Sequence, residues 1–428
     1  MKYILLFFIK LLIISFSGQL VASNMNDFPV SARSSLQSLP TVAYNPVHDQ
    51  FLVTWSDVRY NSKTDVDIYG RILDAQGKPV SDDIVISNHK GGQGRSSVAF
   101  DPVNKQYLVV WSDWRNANTI DSDIYAQRIN FDGKPIGKNF AITNLRTSQK
   151  QAAVAFDTDK QRFLVAWKDD RLADYEKLYG RFISPQGELL DKEFLIAKGE
   201  GKQDRPSLVY DPKRKRFLVV WRDIVDEQQY LSTTLEGKGI FAAFIDKANN
   251  KPEAGILIDT EEDACLPPSL YAASYSAEDD LFLVVWTTAR DYQKMGLDVF
   301  GALVRASDGK HIGKAFPIAV KNDYQEFPSV VFDQKQKRFL VIWYDLRRDP
   351  SALNMDLYGR YISPQGDMSE EFLMTDNGAP GIRRFPAVAY SQKSSTALLL
   401  WEDSRKKTRT QNHQRIYART FQGQKQVK

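Results

Sequence analysis

The sequence predicts an all-β protein made of seven similar four-stranded antiparallel sheets. Two observations support this fold class. A stretch like Gln106–Arg115 (QYLVVWSDWR) recurs along the chain, and the units at the two ends are incomplete in complementary ways. The copies centre on seven tryptophans that subtraction spaces at 56, 56, 54, 65, 57 and 58 residues: Trp55, Trp111, Trp167, Trp221, Trp286, Trp343 and Trp401. Regular self-similarity of this kind is typical of repeat folds, in which each unit buries its apolar surface against its neighbours.

The central part of each copy is predicted to be a strand that is buried on both faces. Phe217–Trp221 (FLVVW) and Phe339–Trp343 (FLVIW) are short, unbroken apolar runs rich in β-branched and aromatic residues, which favours a strand over a helix. A strand without a polar face needs apolar cover on both sides, and stacked sheets provide it. We therefore expect each sheet to use its neighbours as core.

The second unit shows the order of strands within one sheet. Its first strand is predicted at Ser97–Pro102, its second at Tyr107–Trp111, its third at Asp123–Ile129 and its short fourth strand at Phe140. The same pattern places other first strands at Pro40–Tyr44, Ala152–Phe156, Pro206–Tyr210, Pro328–Phe332 and Pro386–Tyr390, with the fifth near Pro268. Corners that contain glycine or proline, such as Ser184–Gly187, are typical of the hairpin turns between strands.

The termini indicate that the sheets close into a ring. Asp27–Ala32 resembles a fourth strand without a unit of its own, whereas the last unit ends after a third strand at Arg415–Phe421. Pairing these segments completes the seventh sheet and removes exposed edges. The predicted fold is therefore a seven-bladed β-propeller of four-stranded antiparallel blades, closed by an N-terminal strand joining the last blade, with residues 24–428 as a single domain.

Residues 1–23 have the features of a secretory signal peptide. Lys2 precedes an apolar run, and Val21–Ser23 offers a small-residue cleavage site. The alternative is an uncleaved anchor, but Lys10 interrupts the run, and a membrane span needs about 20 apolar residues. We expect cleavage, a secreted or periplasmic mature protein, and no membrane span after the signal.

The composition excludes some partners and chemistries. The 428-residue chain carries a formal net charge of +4, which gives no electrostatic reason to expect nucleic acid. Cys265 is the only cysteine, so an intrachain disulfide cannot form, and without an identifiable histidine partner we interpret it as a bystander thiol rather than a nucleophile. No pattern implies a cofactor, and we expect a monomer.

The repeats also carry a family resemblance. Val53–Arg59 (VTWSDVR) followed by Asp67–Arg71 (DIYGR) resembles the repeats of bacterial extracytoplasmic β-propellers related to the TolB-type, WD-repeat-like group. The resemblance extends over almost the whole chain after residue 23 and implies the propeller fold. It implies no particular substrate, because such propellers serve as adhesins, scaffolds and enzyme frames.

A Trp-x-Asp-x-Arg motif follows the second strand of most units. Its Asp and Arg pairs are Asp57/Arg59, Asp113/Arg115, Asp169/Arg171, Asp345/Arg347 and Asp403/Arg405. Unit four has Val225 in place of the arginine, and unit five has Thr288 in place of the aspartate. We interpret the motif as a structural loop motif in which each pair braces its own loop, internally or against an acid before the third strand such as Asp67, because a feature of every unit suits folding better than one active site.

The alternative for this motif is a ring of unpaired donors that grips an acidic polymer or a protein. The loops after the second strands are expected to share one face with the connections between blades, which hold Arg95, Arg205 and Arg384. That face is therefore the candidate binding face whichever interpretation holds.

No set of residues specifies a catalytic or metal site. Asp65/Asp67, Asp121/Asp123 and the acids of 259–263 offer oxygen ligands, but a complete calcium-loop pattern is absent, so solvated turn acids are favoured. Gly-x-Ser-x-Gly, His-Glu-x-x-His and phosphate-binding glycine loops are absent as well. We predict no catalytic residue and no metal ligand.

The irregular units four and five are the predicted place of partner recognition. Unit four has a long segment at 224–239 and unit five an insertion at 289–295, both on the candidate binding face. Tyr230, Arg290, Tyr292 and Met295 are the predicted partner-binding residues, since aromatic, arginine and methionine side chains suit adaptable contacts. A tolerated surface insertion is the alternative.

The sequence thus favours a secreted or periplasmic non-enzymatic binding or scaffold protein that uses one propeller face for a protein or glycan partner. The alternative is a carbohydrate-active hydrolase with carboxylate acid/base residues near the central channel. Two carboxylates about 5–10 Å apart in an open pocket would favour the hydrolase.

Overall fold

The computed structural model describes residues 27–33, 35–59, 65–117, 121–172, 175–197, 201–224, 239–245, 252, 253, 255–259, 271–289, 296–349, 354–375, 381–404 and 414–422. Within these ranges the chain forms 28 strands. No helix in the described part of the chain combines the length and apolarity that a membrane crossing requires.

The strands form seven four-stranded antiparallel sheets. The first strands are β2 (Gln37–Asn45), β6 (Gln93–Asp101), β10 (Gln149–Asp157), β14 (Lys202–Asp211), β18 (Ala272–Ser276), β22 (Gln325–Asp333) and β26 (Arg383–Ser391). The second strands are β3 (Gln50–Asp57), β7 (Gln106–Asp113), β11 (Arg162–Leu172), β15 (Arg216–Ile224), β19 (Leu281–Thr288), β23 (Arg338–Asp345) and β27 (Thr396–Asp403). The third strands are β4 (Asp67–Asp74), β8 (Asp123–Asn130), β12 (Tyr175–Ile183), β16 (Gly239–Ile245), β20 (Asp298–Arg305), β24 (Asp356–Ile362) and β28 (Arg415–Phe421). The fourth strands are β5 (Ile84–Ser87), β9 (Pro135–Ala141), β13 (Leu189–Leu195), β17 (Ile256–Asp259), β21 (His311–Ala319), β25 (Phe372–Leu373) and, for the last sheet, β1 (Phe28–Pro29).

The seven sheets close into a ring around a central channel. Each first strand contacts the first strand of the next sheet, from β2 and β6 around to β26, and β26 contacts β2 again. The first strands therefore line the axis, and the fourth strands lie at the rim. This arrangement confirms the predicted seven-bladed β-propeller.

The N-terminal strand closes the last blade, as predicted. In the antiparallel pairing of β1 with β28, Phe28 lies opposite Ala418 and Pro29 opposite Tyr417. The amide of Val30 also donates to the carbonyl of Ile416 at 2.9 Å. Pro29 lies on an outer edge strand, where a missing N–H leaves no ladder bond unmade.

The apolar core lies between the blades. Six of the seven repeat tryptophans are fully buried, and Trp221 is 3% exposed. Each packs against the preceding blade; Trp111, for example, joins a cluster with Leu52 and Ile68 of the first blade. Alternate residues of the same strand, such as Leu108 and Val110, pack against the following blade. Second strands are therefore buried on both faces, as their unbroken apolar runs predict.

Six of the seven first strands begin earlier than the sequence pattern predicts, whereas the predicted start of the fifth, near Pro268, lies outside the described residues. The pattern starts the first of them at Pro40, but β2 begins at Gln37, and its pairing with β3 skips residues between Ser38 and Thr41. The same irregularity occurs in five other first strands: β6, β10, β14, β22 and β26. A β-bulge holds an extra unpaired residue, so the strand continues past a proline that cannot donate to the ladder.

Candidate functional site

The Trp-x-Asp-x-Arg motif forms a compact hydrogen-bonded unit at the end of the second strand. In the first blade, the carboxylate of Asp57 accepts hydrogen bonds from Trp55 Nε1 at 2.9 Å and from Arg59 Nη2 at 2.6 Å. The backbone amide of Arg59 donates to the other carboxylate oxygen at 2.9 Å. The same three bonds recur around Asp113, Asp169 and Asp345. In the seventh blade Trp401 donates to Asp403 at 2.8 Å, and Arg405 lies outside the described residues.

Each motif arginine also packs on a tyrosine of the third strand. The Cζ atom of Arg59 lies 3.7 Å from the ring centre of Tyr69, and the Cζ atoms of Arg115, Arg171 and Arg347 lie 3.9, 3.8 and 4.3 Å from the ring centres of Tyr125, Tyr179 and Tyr358. A second acid in the segment that leads into the fourth strand, or in that strand itself, completes the cluster in three blades: Asp83, Glu193 and Glu371. In these three blades the arginine therefore connects the end of the second strand with the third strand and with the segment at the fourth strand.

Blades four and five lack this cluster. Their equivalent buried groups therefore differ in pKa or in hydrogen bonding from those of the regular blades. Burial would raise the pKa of Asp57, but hydrogen bonds from Arg59 and Trp55 outweigh it and hold the pKa below its ordinary value. Asp223 has no arginine two residues later, and burial raises its pKa even though Gln203 donates to it. In blade five, Trp286 Nε1 and Thr288 Oγ1 have no hydrogen-bond partner in the part of the chain that the structure describes.

A cavity of about 290 Å³ opens at the mouth of the channel. It lies at the end of the channel where the first strands begin and the second strands end, because Gln37 pairs with Asp57 and Gln93 with Asp113. The motif aspartates therefore share a face with the cavity. Its wall comes from first strands of six blades or the residues beside them: 39–41, 95–97, 151–154, 205–208, Tyr271 and Phe385.

In five blades, one residue of the bulge lines this wall: Leu39, Arg95, Gln151, Arg205 and Phe385. The position lies sixteen residues before the tryptophan, as in 55 − 39 and 111 − 95. It has a positive φ in six blades, between 48° and 59°, at Leu39, Arg95, Gln151, Arg205, Phe327 and Phe385. Such a conformation is unfavourable by about 1–2 kcal/mol for a residue with a Cβ, and it recurs whatever the side chain is. The repeated blade structure therefore determines the backbone conformation at this position. The identity of the side chain determines the chemistry of the cavity wall.

Two arginines face the cavity without a full set of partners. Within the described part of the chain, Arg95 is an exposed residue whose guanidinium forms no hydrogen bond or ion pair, and its pKa is lowered by partial desolvation and by the positive charge of Arg205. Arg205 Nε lacks a hydrogen-bond partner and lies 3.7 Å from Asp204 Oδ2. Asp204 already accepts a 2.9 Å hydrogen bond from the hydroxyl of Tyr271. Two cations therefore line one cavity, and the acid beside Arg205, which is not part of the cavity wall, is already hydrogen-bonded.

Arg384, the third arginine expected on this face, has a different role. It precedes the bulge residue Phe385, and its Nε donates to Glu402 at 2.9 Å. Glu402 also accepts hydrogen bonds from the amide of Leu39 at 2.8 Å and from Gln414 Nε2 at 2.7 Å. Arg384 thus pairs with a buried acid of its own blade, and that acid in turn accepts the hydrogen bond that joins the last blade to the first.

Other predicted site residues are placed as follows. Tyr230, Arg290, Tyr292 and Met295 lie outside the described residues, as do Cys265 and residues 1–23. Asp121 forms a 3.4 Å ion pair with Lys150, and Asp123 accepts from Thr143 at 3.1 Å. Among the described side chains, no group of three His, Cys, Asp or Glu residues could hold a metal ion.

A sequence signal for the cavity lies at a fixed distance from each tryptophan. Counting back sixteen residues finds every described bulge residue, and the position two residues before the bulge residue is glutamine in five units: Gln37, Gln93, Gln149, Gln203 and Gln325. Only the tertiary structure shows that Arg95 and Arg205, from blades two and four, share one cavity.

Comparisons with known proteins identify the architecture. No protein-family model and no curated protein matches the chain. Among solved structures, it is similar to a protein of unknown function from Dyadobacter fermentans, with a TM-score of 0.51 and 12% identity over 74% of this chain and 93% of that one. It is also similar to an α-L-arabinofuranosidase of Fusarium graminearum (TM-score 0.49, 12% identity, 77% and 93% covered) and to the Dos1 propeller (TM-score 0.47, 10% identity, 93% and 94% covered). At these identities the comparisons show the propeller fold alone.

Proposed function

We propose that this protein is a non-enzymatic binding protein that receives part of a partner molecule in the cavity at the mouth of the channel. The observation that carries this proposal is the bulge position, where one backbone conformation recurs but the five residues that line the cavity are leucine, arginine, glutamine, arginine and phenylalanine. A purely structural position in a repeat needs no such variety. Cavities lined by apolar groups with a few convergent polar ones are typical ligand sites.

The wall chemistry favours binding over the alternative of a carbohydrate-active hydrolase. Such an enzyme needs two carboxyl groups about 5–10 Å apart at its site, yet the described residues that line the cavity include no aspartate or glutamate. The nearby acids Asp204 and Glu402 are engaged with Tyr271 and with Arg384 and Gln414. No described feature of the cavity favours hydrolysis.

The wider setting of the proposal rests on the sequence. The signal-like residues 1–23 support export to the periplasm or the exterior, and the repeat motifs support kinship with the TolB-type, WD-repeat-like propellers. Tyr230, Arg290, Tyr292 and Met295 are proposed as contacts around the cavity, because the strands that flank their segments end on the cavity face. Whether the partner is a protein or a glycan, it would meet this one face.

A cavity-filling substitution tests the proposal. Ala153 lines the cavity in strand β10, so Ala153→Phe fills it without removing a polar group. Ala117 is exposed on the same face after β7, so Ala117→Phe is the matched control. The full-chain proteins are immobilised and used to capture partners from envelope and extracellular extracts.

We expect wild type and Ala117→Phe to capture the same partner and Ala153→Phe to lose it, with equal melting temperatures by circular dichroism. Equal capture by a folded Ala153→Phe protein would place the binding site elsewhere. Oligosaccharide hydrolysis by wild type that Ala153→Phe abolishes would support the hydrolase instead.

A further inference from the structure

One side of the cavity presents hydrogen-bond donors from three consecutive blades. Arg95, Gln151 and Arg205 occupy the same bulge position in blades two, three and four. The amide oxygen of Gln151 accepts the backbone N–H of Arg205 at 2.9 Å. One lone pair of this oxygen is thereby used, and the NH₂ group of Gln151 adds two donors. Arginine side chains only donate, so the three bulge side chains on this side of the cavity offer mainly donors.

The opposite side of the cavity is apolar. Leu39 of blade one and Phe385 of blade seven occupy the equivalent bulge positions, and Pro40 lies beside Leu39. Ser96 and Ser97 lie between the two sides, but Ser96 Oγ is bonded to Thr54 Oγ1 at 2.9 Å, and Ser97 Oγ accepts from the amide of Val154 at 3.3 Å. A neutral sugar ring carries no charge and would leave both arginines of the wall without a counter-ion.

The positive charge of the cavity wall favours an anionic ligand. Arg95 and Arg205 are the charged residues of the described cavity wall, and arginine stays protonated in proteins. Two guanidinium groups that repel one another are stabilised by an anion placed between them. Their planar donor geometry suits a carboxylate, which can accept two parallel N–H bonds.

We infer that the cavity binds an organic carboxylate whose oxygens accept hydrogen bonds from Arg95, Gln151 and Arg205 and whose apolar body packs against Leu39 and Phe385. The inference rests on the proposed function, because it assumes that the mouth of the channel is the binding site. The same chemistry is offered by a small free carboxylate and by the C-terminal carboxylate of a polypeptide that ends in an apolar residue.

Paired probes that differ only in charge test this inference. Binding of N-acetylphenylalanine to the full-chain protein is measured by isothermal titration calorimetry and compared with that of N-acetylphenylalaninamide. A hexapeptide that ends in phenylalanine is compared with its C-terminal amide in the same way. We expect each carboxylate to bind at least about tenfold more tightly than its amide, the scale of a charge-assisted hydrogen bond. A tighter peptide identifies a polypeptide terminus as the source, whereas equal affinities identify a small carboxylate.

The protein variants are Arg95→Gln and Arg205→Gln. Glutamine already adopts the required positive φ at Gln151, so the backbone is expected to tolerate both changes. We expect each to weaken carboxylate binding about tenfold and to leave amide binding unchanged. Lys134→Gln is the matched control, because it removes the same charge from an exposed turn at the far end of blade two.

Three outcomes would overturn the carboxylate inference. They are failure of both carboxylates to bind at millimolar concentration, equal binding of acid and amide, and unchanged affinity in the folded arginine variants. Tighter binding of galacturonic acid than of N-acetylphenylalanine would also contradict it, since the apolar side would then have no role. Probes that bind wild type and Ala153→Phe equally would instead contradict the proposed function, which separates the two failures.

Discussion

Single buried aspartates show how one neighbour sets the energetics of each blade. Asp57 and Asp223 occupy equivalent positions, and both are buried. Arg59 pairs with Asp57 at 2.6 Å, whereas position 225 is valine. The pKa of Asp57 is consequently lowered and that of Asp223 raised. The ionised carboxylate therefore stabilises the first blade at Asp57 and destabilises the fourth blade at Asp223.

Asparagine at these two positions is expected to have opposite effects on stability. At pH 7, Asp57→Asn should lower the free energy of unfolding by about 1–3 kcal/mol, because Arg59 loses one of its two acidic partners and keeps only Asp83. Asp223→Asn should raise it slightly, on the order of 0.5–1 kcal/mol, because a desolvated charge is removed. Urea denaturation of both variants beside wild type measures the difference.

The pH dependence follows from the direction of each shift. A lowered folded-state pKa means that the stabilising effect of Asp57 is present at neutral pH and is lost as pH falls below about 4. A raised pKa means that the penalty at Asp223 exists above its folded-state pKa and disappears on acidification. Both differences from wild type should therefore shrink in acid. A gain from Asp57→Asn at pH 7 would contradict this account.

The tryptophan of a regular blade is predicted to be among the most costly single truncations. Trp343 is fully buried between blades, and its Nε1 donates to Asp345 at 3.0 Å. Trp343→Ala should lower the free energy of unfolding by roughly 3–5 kcal/mol, as expected for a buried large aromatic. Chemical denaturation checks this value, with Trp343→Phe retaining much of the apolar contact as control. Wild-type stability in Trp343→Ala would be incompatible with the observed packing.

At the scale of elements, second strands were predictable from sequence and the starts of first strands were not. The run Tyr107–Trp111 has one environment, apolar on both faces, so its composition indicates its place. Arg95 is an unpaired bulge residue that faces the channel, and its spacing to Trp111 marks the position without indicating that the strand is bulged there. Arg95 and Arg205 were expected on the binding face, but the cavity that they share was not predicted, because it depends on which blades meet across the axis.

The closing strand β1 gives the clearest prediction at this scale. Besides its ladder with β28, its segment places Asp27 2.5 Å from Arg419, a residue that is 4% exposed. Deleting residues 24–33 while keeping residues 1–23 should lower the melting temperature, because the last blade loses its outer strand and Arg419 loses an acid partner. The matched control deletes 423–428, which follow the last described residue. Equal melting of the 24–33 deletion and wild type would show that β1 is dispensable for closure.

At the scale of the whole molecule, a nearly sevenfold frame carries an asymmetric face. Blades one, two, three and six repeat the same aspartate and arginine cluster, whereas blades four and five lack it. The cavity is likewise divided, with donors from blades two to four and apolar groups from blades seven and one. In a repeat protein the regular units and their interfaces supply stability. The irregular blades four and five can therefore differ in sequence in ways that suit one partner.

The last prediction therefore concerns the irregular segments of blades four and five. Val225 and Thr288 replace the motif residues there, and the segments 225–238 and 290–295 begin next to strands that end on the cavity face. If these segments contact the partner, replacing Tyr230, Arg290 and Tyr292 together with alanine should weaken binding by at least about 2 kcal/mol, the scale of an interface hot spot. Shortening the corresponding loop of regular blade two, after Asp113, should leave affinity unchanged. Affinity is measured for the partner captured by the wild-type protein, with circular dichroism as the folding control. Equal affinity of the folded triple variant and wild type would exclude these residues and leave the channel cavity as the place where the partner binds.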